Sequence, residues 1–197
     1  MRHAMLSFKS AFTELLRSDL GNLAKPVLFA ALLWAAAAAG ELPIPGTPVP
    51  ITLQTFVVML AALMLTWRQA GAAVMLYLAA GAAGLPVFAG GASTAALVGP
   101  SAGFLFGFLP AAIVTSLLKG KADAGSLKGG VLTALRYFAA AIIGCVAIDY
   151  FFGFAFQAMI TGVPFATVAL ASMGFVCGDV VKAFVASIVV AGLAKLR

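Results

Sequence analysis

Six apolar runs follow one another along the 197 residues of this chain, at about 26–40, 51–66, 70–84, 102–118, 131–154 and 178–194. Backbone N–H and C=O groups placed in hydrocarbon must be bonded within their own segment, so runs of this kind resolve into helices. The expected fold class is therefore all-α: a polytopic membrane protein whose six transmembrane helices form a compact bundle. Several runs are about 16 residues long, shorter than the roughly 20 of an ordinary span, so their boundaries are soft. Charged residues make up 9% of the chain, against about 25% in a soluble domain. That leaves no material for a separate soluble unit, and residues 1–197 are read as one integral membrane domain. No cleavable leader is evident ahead of the first run, which is expected to stay in the protein.

The connections carry the next layer of information. Residues 4–20 mix Met5, Leu6, Phe8, Phe12, Leu15 and Leu16 with Lys9, Glu14, Arg17 and Asp19. The spacing predicts an amphipathic helix at the interface within residues 1–22. Lys25-Pro26 then opens the first span, where proline costs little. Glu41 to Pro50 holds four prolines and Gly46, which predicts a stiff, non-helical connection. Trp67-Arg68-Gln69 is a short turn. Gly84 to Gly107 contains six glycines, two prolines and no charge. Irregular backbone at membrane depth is tolerated where protein or a water-lined cavity satisfies it, and transporters build binding sites at such breaks. Gly162-Val163-Pro164 breaks the chain again, with a short or re-entrant helix after it.

Charge sets the orientation. With the N-terminus inside, the inner segments hold ten of the twelve basic residues and the three outer connections hold none. This is the positive-inside pattern, with both termini cytoplasmic. It places the Pro-rich connection, the Gly-rich stretch and the start of the last span on the outer side. The formal charge of +6 is thus a topology signal, and no nucleic-acid partner is expected.

The remaining two basic residues lie within spans. Arg136 is close enough to the inner end of the fifth span to snorkel. Lys182 sits one turn into the last span, three residues after Asp179, so the pair shares a helix face. Ionisable groups inside a span are costly and point to function, although Asp179 is also a good helix N-cap. An aspartate beside a lysine offers an acceptor and a donor, which suits a urea or an amide. Gly90-Gly91 can aim backbone N–H groups at an anion, and Ser101 is placed to cap the fourth span. Phe88, Tyr77 and Phe104 can supply apolar walls, though each alone is ordinary packing.

Catalytic and metal chemistry are poorly supplied. His3 is the sole histidine, and Cys145 and Cys177 lie in apolar runs where buried thiols are the default. No metal site, cofactor or catalytic residue is assigned. Asp149 and Asp179 together raise an intramembrane aspartyl protease, but Val176-Cys177-Gly178-Asp179 lacks the first glycine of the Gly-x-Gly-Asp arrangement. A phosphate-binding Gly-x-x-x-x-Gly-Lys-[Ser/Thr] loop is absent from the sequence, so ATP-driven transport would need a partner. A stand-alone channel would need a continuous polar path, and the inner halves of the spans are too apolar for one.

PVPITLQTF at 48–56, GLPVFAGG at 84–91, Gly99-Pro100 with GFLFGF at 103–108, and GDVVKA at 178–183 together resemble the BioY family. Those proteins are the biotin-specific S components of energy-coupling factor transporters. The resemblance runs from the first span to the last. It implies a substrate-binding membrane subunit in the bacterial inner membrane that captures biotin from outside beneath a lid between spans one and two. It also implies a transmembrane coupling protein and ATPase subunits as partners. The family's Asp and Lys of the last helix match Asp179 and Lys182, which would meet the ureido ring. The Gly-rich connection, through Gly90, Gly91 and Ser93, would hold the valerate end. Ala31, Ala35 and Ala39 form a stripe in the first span of the kind such subunits use to dock on the coupling protein, though that span is Ala-rich throughout. Two departures stand out: Cys177 replaces a proline before Gly-Asp, and Ser101-Ala102 replace Thr-Gly before the fourth span. The rivals are an S component for another vitamin and the aspartyl protease.

Overall fold

The computed structural model describes residues 19–194 apart from residue 124. The interfacial helix expected within 1–22 falls largely outside the described residues. The first described helix, α1 (Asp19–Ala38), begins before Lys25-Pro26 and carries Pro26 in its interior. Proline therefore does not open it. Its Phe29, Leu33, Ala36 and Ala37 face inward.

The Pro-rich connection is ordered into a small hairpin. β1 (Glu41–Leu42) pairs antiparallel with β2 (Ile51–Thr52), Glu41 opposite Thr52 and Leu42 opposite Ile51. Pairing Ile51-Thr52 into this hairpin shortens the expected second span to α2 (Gln54–Met64). α3 (Trp67–Ala82) follows at once, so Trp67-Arg68-Gln69 is its first turn and not a loop. Thr66 makes the stop and restart possible. Its hydroxyl accepts from the Gln69 N–H at 3.4 Å, and the Gln69 side-chain oxygen accepts from the Thr66 N–H at 3.2 Å. This reciprocal cap satisfies two otherwise orphaned donors.

The Gly-rich stretch is irregular, with 3₁₀ turns at Ala89–Gly91 and Thr94–Leu97. Gly90 and Gly91 adopt φ of 66° and 73°, a left-handed geometry that side chains rarely accept. α4 (Ala102–Leu118) has the bounds the sequence predicts, but Ser101 makes no side-chain cap there.

The expected fifth span is much longer. α5 (Leu127–Ala141), a π-helical segment (Ile142–Ile148) and α6 (Asp149–Thr161) form one apolar run of 35 residues. The wide turn coincides with a contact from α4. A Cβ at Gly144 would lie 2.0 Å from Thr115 Oγ1, and that hydroxyl donates to the Ala140 carbonyl at 3.2 Å. A side chain from α4 thus takes over a carbonyl inside the ladder, the kind of insertion that accompanies such bulges. Gly162, with φ of 70°, ends α6, and the short helix α7 (Phe165–Ala171) follows Pro164. α8 (Gly174–Leu193) starts earlier than expected. Asp179 is consequently inside the helix and not at its N-cap. Cys145 is buried, but Cys177 on α8 is exposed, against the expectation for both.

α4 is the central element. It packs on α6, α3 and α2, while α8 packs on α5 and α2, and α1 covers α3 and α2. The α4–α6 contact is backbone-close: a Cβ on Gly103 would sit 2.4 Å from the Phe152 carbonyl oxygen. Three described helical stretches, Gly21–Ala38, Leu127–Thr161 and Gly174–Leu193, are long and apolar enough to cross a membrane.

Candidate functional site

Between the hairpin, the Gly-rich stretch and the ends of α2, α4, α6 and α8 lies a cavity of about 430 Å³. That is within the roughly 300–1,000 Å³ usual for small-molecule sites. Its walls are chiefly apolar, from Pro48 and Val49 of the hairpin to Phe88, Phe104, Phe108 and Phe175. Phe88 is set by its surroundings. Its ring lies where a Cβ on Gly81 would be and meets Tyr77 edge-on at 5.2 Å.

Asp179 and Lys182 both line this cavity, and their pairing is close, Lys182 Nζ to Asp179 Oδ1 being 2.7 Å. α8 brings them together by helical spacing, as their separation of three predicts. The surrounding bonds come from elsewhere in the chain. Thr55 on α2 donates its hydroxyl proton to Asp179 Oδ1 at 2.8 Å and accepts from Lys182 Nζ at 3.0 Å. Lys182 Nζ also donates to the Thr52 carbonyl on β2 at 2.7 Å. Tyr150 on α6 donates to Asp179 Oδ2 at 2.8 Å. The acid and base are therefore neutralised by each other and fixed by neutral hydrogen bonds, the arrangement that makes charge tolerable away from water.

The other expected site residues divide. Phe88 is a cavity wall. Tyr77 is 1% exposed and stands behind the wall, accepting from the Gln54 side-chain amide and donating to the Val87 carbonyl at 3.0 Å. It supports the site without lining it. Gly90, Gly91 and Ser93 are also outside the lining. The Gly91 N–H is engaged with the Phe88 carbonyl at 3.1 Å, and the Cβ position of Gly90 faces the Glu41 carboxylate at 3.6 Å. The Gly-rich stretch reaches the cavity instead through Phe88, Ala89, Ala92 and the turn Gly99-Pro100-Ser101. Ala31 and Ala35 lie on the exposed side of α1, and Ala39, just past its end, is exposed as well.

Thr52, Thr55 and Tyr150 were not singled out from the sequence. The first two sit in the motif at 48–56, where two threonines and a glutamine at the start of an apolar run are themselves a polar signal. Tyr150 had none beyond its place beside Asp149.

Residues 8–197 match the BioY family. The chain belongs to the BioY family. A Rhizobium etli protein described as a biotin transporter BioY is 36% identical over 168 residues, covering 85% of this chain and 89% of that one. A Thermotoga maritima protein of the same description is 36% identical over 180 residues, covering 89% and 97%. Among solved structures, the S-component for biotin from an ECF-type ABC transporter superposes with a TM-score of 0.80 at 25% identity. That match covers 89% of this chain and 92% of the other. Membership in BioY is membership in a family of transporter components and not of enzymes. The aspartyl protease is accordingly not favoured, and in this BioY chain Asp179 is held by a lysine, a threonine and a tyrosine.

Proposed function

We propose that this chain is the high-affinity biotin-binding membrane subunit of a vitamin importer. The observation that carries this reading is the Asp179–Lys182 pair at the wall of a mainly apolar cavity. A cyclic urea presents N–H donors and a carbonyl acceptor. Asp179 can accept from one N–H, and Lys182 can donate to the carbonyl. The aromatic walls suit the fused rings. The valerate carboxylate is assigned to the Gly-rich connection, on its Gly99–Ser101 side. There the start of α4 favours negative charge, with Gly90, Gly91 and Ser93 shaping the loop behind.

The positive-inside pattern supports capture from the outer face, with both termini cytoplasmic and six helices crossing the inner membrane of a bacterial cell. The shorter helices cross with the help of their flanking connections. The hairpin at 41–52 closes over the cavity as its cover. The sequence lacks a nucleotide-binding loop, so a transmembrane coupling protein and ATPase subunits supply the energy. The exposed stripe of Ala31, Ala35 and Ala39 is the proposed contact for that coupling protein, since small residues let helices approach closely.

Calorimetry on the purified protein tests the assignment. Biotin should bind with one site per chain. Silence with biotin and heat with another vitamin would reassign the subunit to that vitamin.

A further inference from the structure

Asp149 is the least accommodated polar side chain in the described part of the molecule. It is 1% exposed, lines the cavity, and neither carboxyl oxygen has a hydrogen-bond partner among the described residues. Buried polar groups left unpaired cost on the order of 1–3 kcal/mol or more, so an orphan in the wall of a binding cavity is a group awaiting a donor. Its placement is built in. A Cβ on Gly107 of α4 would fall 2.5 Å from Asp149 Oδ1, so α4 carries glycine where the carboxyl needs room. The π-helical segment ends immediately before Asp149, and the same helix sends Tyr150 to Asp179.

Counting hydrogen bonds gives the orphan a role. A cyclic urea has two N–H donors, directed to opposite sides of the ring, and one carbonyl. Asp179 already accepts from Lys182, Thr55 and Tyr150. A carboxylate has about four lone-pair sites, so it has capacity for one further donor. One N–H of the urea is then left without an acceptor at that pair. We infer that Asp149 is a second ligand-contacting carboxyl, accepting the ureido N–H that Asp179 does not take. This inference rests on the biotin reading proposed above and deepens it. A carboxyl oxygen accepts whether or not the group carries a proton.

The test compares biotin with its two singly N-methylated ureido analogues, on the wild-type chain and on Asp149→Leu and Asp149→Asn. The Leu variant should bind biotin roughly 10-fold or more weakly. The Asn variant, whose amide oxygen still accepts, should stay within a few fold. One methylated analogue should bind poorly to the wild type and lose that handicap in the Leu variant, since its missing N–H no longer matters. If Asp149→Leu does not fold, Asp149→Ala carries the same comparison. Biotin affinity unchanged on removing the carboxyl would overturn the inference, as would an equal methylation penalty in every chain. Wild-type protein that binds no biotin would instead overturn the assignment of the ligand.

Discussion

At the scale of single residues, Thr55 connects the two charges of the site. Its hydroxyl gives to Asp179 and takes from Lys182, so it fixes the distance at which the pair faces the cavity. Thr55→Val keeps the shape and removes both bonds. Biotin affinity should fall by about 0.5–1.5 kcal/mol, or roughly 2- to 12-fold, by calorimetry. Asp179→Asn removes a buried charged partner and should cost more, about 1.5–3 kcal/mol, or roughly 10- to 100-fold. An unchanged affinity would take Asp179 out of the site. Asp179 and Lys182 were legible in the sequence because charge within an apolar run is expensive, and helical spacing alone makes them neighbours. Tyr150 was not, because its bond to Asp179 joins residues of two helices, and no periodicity reports which helices meet. Gly90 and Gly91 lie outside the cavity lining for a related reason. Two glycines announce unusual backbone, and here that backbone is spent on a turn facing Glu41.

At the scale of elements, the bundle is held at its centre by glycines that let α4 and α6 touch. Gly103→Ala would push a methyl group into the Phe152 carbonyl and the Phe156 side chain. Overpacking of this kind costs about 1–3 kcal/mol, so thermal unfolding in detergent should shift to lower temperature. The apolar runs, the break at Gly162 and the bounds of α4 were all readable, because hydrophobicity and helix-breaking residues act locally. The continuity of Leu127–Thr161 was not. Nothing in IIGCVAI marks a π turn, and the contact that accompanies it, the Thr115 hydroxyl bonded to Ala140, comes from a different helix. The hairpin was hidden as well. Its strands are two residues each, too short for any alternation to show, and proline argued only for stiffness.

At the scale of the whole molecule, the asymmetry of charge becomes an experimental claim about sidedness. In a chain with Cys145 and Cys177 replaced, Pro45→Cys and Val163→Cys should react with a membrane-impermeant thiol reagent added outside intact cells. Lys121→Cys should react only after the membrane is opened. The reverse pattern would invert the topology and place the cavity mouth toward the cytoplasm. The hairpin and the last helix are also joined, because one ammonium holds the Thr52 carbonyl and the Asp179 carboxylate together. An ammonium has three protons, and Lys182 has already given them to Thr52, Thr55 and Asp179. A ligand oxygen that takes a proton from Lys182, as proposed, would have to displace one of these three acceptors. Of the three, Thr52 is the one on the hairpin, so its departure would cut the tie between that flap and the helix beneath.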